Sequence, residues 1–213
     1  MKQNKSAAVM QQRGTRKQSL DSFPTHPWAT RAFVEHVLLP LGPLDDLEAL
    51  EPACGAGHMA EPLLEYFGAV LASDIYPYGY GSRISFLDGE FEPVDWVITN
   101  PPFNAAERFI AKGRRIARVG VAVLVRGAFL ESLGRFERLY RGNPPDIVAQ
   151  YVERVPMVEG RLDAAASSAT SYCWLVWLTG SGGALTRLVW IPPSRERLTR
   201  PGDYDCPISS ETL

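Results

Sequence analysis

The stretch that decides the fold runs from Leu47 to Asp74: LEALEPACGAGHMAEPLLEYFGAVLASD. The short apolar run Leu47 to Leu50 leads into Glu51-Pro52-Ala53-Cys54-Gly55-Ala56-Gly57. His58 to Phe67 then reads as a helix, and Ala69 to Ser73 as a buried strand ending in Asp74. Glycines after a strand allow a tight turn and let a ligand approach the backbone closely. An acid at the end of the next strand, roughly 20 residues on, typically accepts hydrogen bonds from ribose hydroxyls. The series therefore predicts a nucleoside-containing cofactor at the carboxyl ends of parallel strands. The third glycine of the dinucleotide fingerprint is missing, because His58-Met59-Ala60 follow Gly57. Few positive groups stand near the loop to meet a pyrophosphate. Glu51 would repel a phosphate and attract an ammonium or sulfonium. The spacing by itself leaves a dinucleotide and S-adenosylmethionine both open.

Working outward, Trp28 to Leu39 has helical spacing and stops at Pro40. Arg83 to Leu87 reads as a short strand before Asp88, and Val94 to Thr99 as a strand ending at Asn100. Ala105 to Arg118 is a helix, Val121 to Val125 a buried strand, and Phe129 to Tyr140 a helix. Strands alternating with helices predict a parallel sheet covered on both faces. After Asn143-Pro144-Pro145 the rhythm changes. Ile147 to Val155, Tyr172 to Leu178 and Arg187 to Ile191 are strand-like with no helix between them, which predicts antiparallel pairing. The expected architecture is α/β and Rossmann-like: a mostly parallel seven-stranded sheet, an antiparallel C-terminal hairpin, and helices on both faces. Residues 157–171 read as a loop. A tail over 1–22, one domain over 23–192 and an irregular tail over 193–213 complete the division.

At the end of VDWVIT stands Asn100-Pro101-Pro102-Phe103. Two prolines fix the backbone and remove two N–H donors. What remains at the strand tip are carbonyl acceptors, the Asn100 side chain among them, and these suit an amino group with two N–H donors. An amine on an aromatic ring is a poor nucleophile because its lone pair is delocalised. Accepting hydrogen bonds from its hydrogens pushes it toward a pyramidal, reactive geometry. Phe103 can stack on the ring that carries the amine.

The bulk numbers agree with a globular protein: 213 residues, 46% hydrophobic and 22% charged. No apolar run reaches the roughly 18 residues that span a bilayer. The first residues are polar and basic, unlike a secretory signal. Cys54, Cys173 and Cys206 form no CxxC pair, and His26, His36 and His58 are scattered, so neither a disulfide framework nor a metal site is expected. A cytoplasmic location fits. Residues 1–20 hold five basic residues and no acid, leaving 17 basic against 24 acidic residues in the remainder. That tail reads either as a solvated leader or as an arm that contacts phosphates. Arg114, Arg115 and Arg118 read as a solvated helix face, and Cys54 has no base beside it that would make it a nucleophile.

The segments FPTHPWATRAF (Phe23 to Phe33), EPACGAGHMAEPL (Glu51 to Leu63), SDIY (Ser73 to Tyr76), FLDGEF (Phe86 to Phe91), TNPPFN (Thr99 to Asn104) and SYCWLVW (Ser171 to Trp177) resemble the N6-adenine DNA methyltransferases of the class I S-adenosylmethionine-dependent superfamily, above all its small phage- and prophage-type members. The resemblance implies S-adenosylmethionine as cofactor. Gly55 and Gly57 would line its methionine part, with Ala53 in the same loop and Glu51 near its ammonium. Asp74 would bind the ribose, Ile75 and Leu87 would pack by the adenine, and Asp88 would bond the adenine amine. Thr25, Trp28 and Thr30 would close over the carboxylate end. His26 stands where the pattern has a second proline. Asn100, Pro101, Pro102 and Phe103 would hold the target amine, Tyr172 or Trp174 would wall the other side of the target base, and Arg126 would meet a phosphate on the rim. A target inside duplex DNA has to be flipped out. The length leaves no room for a recognition domain, so specificity is expected to be short, or supplied by a protein partner or a second copy. RNA adenine, a protein glutamine amide, and an idle cofactor-binding subunit remain the alternatives.

Overall fold

The computed structural model describes residues 22–182 and 185–205. The basic tail and Cys206 lie outside the described residues.

The strands are β1 (Glu48–Glu51), β2 (Ala69–Asp74), β3 (Ser82–Arg83), β4 (Val94–Thr99), β5 (Ala117–Arg126), β6 (Ile147–Tyr151), β7 (Tyr172–Leu178) and β8 (Arg187–Ile191). The helices are α1 (Pro27–Phe33), α2 (Ala60–Leu63), α3 (Ala106–Ile116), α4 (Leu133–Arg135) and α5 (Arg195–Leu198). All strands join one sheet in the order β3-β2-β1-β4-β5-β7-β6-β8. β1 to β5 are parallel, and β7 runs antiparallel to both β5 and β6.

The sheet has eight strands rather than seven, and β8 lies parallel to β6 rather than antiparallel. The connection from β7 crosses the start of β6. There the Thr186 hydroxyl donates to the Pro145 carbonyl at 2.6 Å, and the Arg187 amide donates to the Asp146 carbonyl at 2.8 Å. The crossing delivers β8 to the far side of β6, running the same way.

Alternation along the strands splits the core in two. Ala49, Trp96, Ile98, Ala122, Leu124, Trp174 and Val176 face one side, against Trp28, Phe33 and Leu63 from α1 and α2. Leu50, Val97, Val121, Val123, Cys173, Leu175 and Trp177 face the other, against Phe109 and Ile110 of α3. The helices therefore cover both faces.

Several expected elements are shorter than the pattern suggests. α1 continues through wider turns to Leu38 and a last turn at Leu39–Leu41, where Pro40 sits. Regular helix after the glycine loop covers only Ala60–Leu63, although turn bonds go on to Phe67. β3 shrinks to Ser82–Arg83 because the Ser85 hydroxyl bonds the Asp88 carboxylate at 2.6 Å and Gly89 turns back onto the Ser85 carbonyl. Such local side-chain bonds compete with a ladder. The stretch 129–140 breaks into α4, capped by Ser132, and a wider turn over Phe136–Tyr140.

The chain beyond β8, expected to be irregular, contains α5 and is tied down. Buried Arg31 of α1 pairs with Glu65 and Asp203, both at 2.8 Å, and donates to the Leu198 carbonyl. Glu153 accepts the Ser194 and Arg195 amides at 3.0 Å. No helix of the described residues is long and apolar enough to cross a membrane. No group of three or more His, Cys, Asp or Glu among them is placed to hold a metal ion.

Candidate active site

The carboxyl ends of β1, β2 and β4 open onto one cleft of about 600 Å³. Its floor is the glycine loop. Gly55 has φ +54° and Gly57 φ +87°, conformations that favour glycine. The loop is pinned to the end of β2: Cys54 donates its amide to the Ser73 carbonyl at 3.0 Å, and Gly55 donates to the Asp74 carboxylate at 2.9 Å. The other Asp74 oxygen accepts the Tyr76 amide at 2.9 Å. Burial pushes the Asp74 carboxyl above its ordinary range, with the amides of Tyr76, Gly55 and Ile75 pulling the other way.

Glu51 is buried at the end of β1, and burial pushes its carboxyl well up, with the Asp74 charge adding to the rise. Its Oε2 has no hydrogen-bond partner among the described residues. His58 also lines the cleft, and burial lowers its pKa, which favours the uncharged imidazole. The Cys54 thiol is pushed up to about 12, chiefly by burial, which leaves it unreactive. The inner cleft thus offers acidic groups and no cation. The described cation on its lining, Arg108, sits on the exposed rim. Such surroundings suit a ligand with a positive group better than a pyrophosphate.

At the tip of β4, Asn100 donates Nδ2 to the Phe23 carbonyl at 2.8 Å and to the Thr25 hydroxyl at 3.1 Å. Met157 Sδ lies 3.8 Å away. A carbonyl only accepts, so the amide nitrogen has to face Phe23 and the Asn100 oxygen is left as an acceptor. The Pro101-Pro102 pair adds no N–H beside it. The Phe103 ring follows, 5.2 Å from the Phe23 ring.

The sequence matches no protein-family model and no curated protein. Solved structures do match. A Pyrococcus horikoshii protein assigned as an RNA methyltransferase is 14% identical, with TM-score 0.57 over 76% of this chain and 90% of that one. A Vibrio vulnificus modification subunit assigned to a type I restriction enzyme is 15% identical, with TM-score 0.56 over 86% of this chain and 51% of that one. A Plasmodium falciparum dimethyladenosine transferase is 13% identical, with TM-score 0.50 over 74% and 63%. The fold is the class I methyltransferase fold. In it, the cleft lies at the carboxyl ends of the parallel strands, on either side of β1, where the strand order reverses.

Of the residues expected at the cofactor, Thr25, Glu51, Ala53, Gly55, Asp74, Ile75, Leu87, Asp88 and Asn100 line this methyltransferase-fold cleft. Three expected there do not. Trp28 is buried in the core, edge-on to Tyr151 at 6.2 Å, and Thr30 is fully buried beside it in α1. Gly57 turns away from the cleft and gives room to the Tyr80 ring: a Cβ on it would lie 2.6 Å from that ring. Pro102 lines the cleft, and Pro101 is buried behind it.

Among residues expected at the substrate, Trp174 is corrected. It stacks on Phe33 at 4.0 Å and donates to the Tyr151 hydroxyl at 2.7 Å, deep in the core. Tyr172 is buried opposite Arg126 in the β5–β7 ladder rather than walling the cleft. Arg126 is half-buried at the end of β5 with its guanidinium over Phe103, and neither residue is on the lining of the cleft itself. Phe23, Phe86 and Phe109 also line the cleft and Met157 meets Asn100, none of them given a role by the motifs. Phe86 and Phe109 meet at the cleft wall with ring centroids 5.0 Å apart and planes tilted by 44°. The apolar stripe of α3 signals that Phe109 is buried, not that it reaches the cleft.

Proposed function

We propose that the protein is an S-adenosylmethionine-dependent methyltransferase acting on an exocyclic amine, N6 of adenine in DNA. The orientation of Asn100 carries this reading. Its nitrogen is spent on Phe23 and Thr25, so its oxygen is left as an acceptor on the lining of an acidic cleft, with half-buried Phe103 three residues further on.

The cleft fits the cofactor. The unpartnered oxygen of Glu51 suits the ammonium of the methionine end. Asp74 suits the ribose hydroxyls, which donate to its remaining lone pairs. Ile75 and Leu87 offer apolar surface to the adenine ring, and the exposed Asp88 carboxylate offers an acceptor to its amine. Bound there, S-adenosylmethionine supplies a methyl group on a positive sulfur.

Asn100 accepts one N–H of the target amine. The carbonyls of the proline-fixed turn offer acceptors for the other, which draws the amine out of the ring plane and frees its lone pair. Phe103 holds the base by stacking. With that cofactor bound, its methyl carbon would pass to the amine nitrogen as the carbon–sulfur bond gives way, and the proton would leave the nitrogen for water. No strong base is required, in keeping with the lowered pKa of His58 and the unreactive Cys54.

The likeness to a dimethyladenosine transferase and to a restriction-enzyme modification subunit is in keeping with an adenine in nucleic acid. The loop 157–171 reaches the cleft through Met157 and Gly160, which makes it the segment placed to contact a target beyond the base. Incubation of the purified protein with labelled S-adenosylmethionine and, separately, unmethylated duplex DNA, single-stranded DNA, structured RNA and a protein extract tests the reading. Label in DNA is expected. Label in RNA or protein alone would reject DNA, and cofactor binding without any transfer would point to an idle subunit.

A further inference from the structure

In this structure the Phe103 ring carries a side chain where the target base is proposed to stack. The guanidinium carbon of Arg126 lies 3.8 Å from the Phe103 centroid and 5.4 Å from that of Phe23. Arg126 is the last residue of β5 and is half-buried. Its Nε is buried with no hydrogen-bond partner, and none of the ion pairs among the described residues includes it. A guanidinium is flat and weakly hydrated and stacks well on aromatic faces, so it mimics a small planar base. An unmade buried hydrogen bond carries a cost, so the position is held by the rings and can be yielded.

Charge requires that it be yielded. Methyl transfer makes the amine positive until its proton leaves. A guanidinium over Phe103 would then stand beside a like charge in a desolvated site. A flipped nucleotide resolves both problems. Its base supplies a flat face for Phe103, and its phosphates supply strong acceptors for the displaced guanidinium.

We infer that Arg126 is a positioning residue that occupies the target-base slot on Phe103 until a flipped adenine displaces it and its guanidinium turns to the flanking phosphate. The inference rests on the proposed adenine chemistry. It makes Arg126 act oppositely on two ligands. A free nucleoside has to displace the guanidinium and offers it no phosphate, whereas DNA does both.

The test compares the wild type with Arg126→Ala and Arg126→Lys. Calorimetry with S-adenosylhomocysteine present gives the dissociation constant of deoxyadenosine. Steady-state transfer to unmethylated duplex DNA over a range of salt gives KM and kcat. Arg126→Ala is expected to bind deoxyadenosine several-fold more tightly. Its KM for DNA is expected to rise about tenfold while kcat is retained, and the slope of log KM against log salt is expected to fall by about one. Arg126→Lys should keep the wild-type salt slope. Weaker or unchanged binding of deoxyadenosine by Arg126→Ala overturns the inference, since a merely structural residue would weaken both ligands.

The Arg126 Nε–Hε resonance reads the slot without turnover. Ring current should shift it upfield in the free protein, and deoxyadenosine should return it toward the ordinary position. Wild-type N6 methylation with a resonance that does not move rejects the displacement alone. An upfield resonance that ignores deoxyadenosine, with no methylation of DNA, rejects the adenine chemistry and the displacement with it.

Discussion

Replacing Asp74 with Asn is expected to separate cofactor affinity from fold stability. Both Asp74 oxygens accept a backbone amide at 2.9 Å, from Gly55 and from Tyr76. Asn keeps one of these bonds and turns an NH2 toward the other amide. Losing a hydrogen bond to a charged acceptor costs about 1.5–3 kcal/mol. In the free protein an opposing effect limits the damage. Burial already disfavours the Asp74 carboxylate, and Asn is spared that desolvation. The net change in stability should stay near about 1 kcal/mol, a Tm shift of about 2–4 °C for a chain of this size. With ligand bound, the ribose hydroxyls lose a charged acceptor and the glycine loop loses its anchor together. A loss of about 1.5–3 kcal/mol there is about a 10- to 150-fold rise in Kd. Calorimetry with S-adenosylhomocysteine near neutral pH gives Kd, and a thermal melt gives Tm. A Kd within twofold of wild type would refute the placement of the ribose at Asp74. A Kd that rises only in step with a collapse of Tm would refute the separation.

Glu51 carries the next prediction. Its carboxyl is raised well above the ordinary range in the fold, so the folded chain holds its proton at pH values where the unfolded chain has released it. Stability therefore falls as pH rises from about 4.5 through the raised value, by at most about 1.4 kcal/mol per pH unit. The buried histidines slope the other way: His26 is lowered to about 4, and its contribution is lost as pH drops below about 6.5. The wild-type minus Glu51→Gln difference isolates the glutamate. Denaturant melts across pH should show Glu51→Gln more stable than wild type at neutral pH and similar near pH 4, while its affinity for S-adenosylhomocysteine drops. Equal stability at all pH values would contradict the burial of an ionisable carboxyl there. Gly57→Ala meets the Tyr80 ring at 2.6 Å and a φ of +87°, and should lose about 1–3 kcal/mol in denaturant melts, part of it recovered in Gly57→Ala with Tyr80→Ala.

The centre of the parallel half was legible because three of its strands run into a marked residue. Glu51, Asp74 and Asn100 close β1, β2 and β4, and all three line the cleft. The continuous apolar run YCWLVWL announced a strand buried on both faces, yet it does not say which face meets which helix. The resemblance put Tyr172 or Trp174 beside a target base, and Trp174 lies instead against Phe33. Trp28 and Thr30 failed for a related reason: a helix beginning at Pro27 points both into the core, and only Thr25, before the helix, reaches Asn100. Gly57 shows that a glycine pattern is degenerate, since the same residue that frees a loop for a ligand also frees it for Tyr80. The Phe23 carbonyl that orients Asn100 is a backbone group 77 residues away, and no side-chain pattern encodes it. The parallel placement of β8 depends on a loop crossing that strand propensity does not record.

The proposed chemistry stands on the amine held by Asn100. The most direct measurement is product analysis of duplex DNA methylated by the wild type and by Asn100→Ala, digested to nucleosides and resolved by mass spectrometry, with S-adenosylhomocysteine binding measured in parallel. N6-methyldeoxyadenosine should form with the wild type and fall about a hundredfold or more with Asn100→Ala, which should still bind S-adenosylhomocysteine. Methyl groups on cytosine, on ring carbon or oxygen, or undiminished N6 methylation by Asn100→Ala would contradict it.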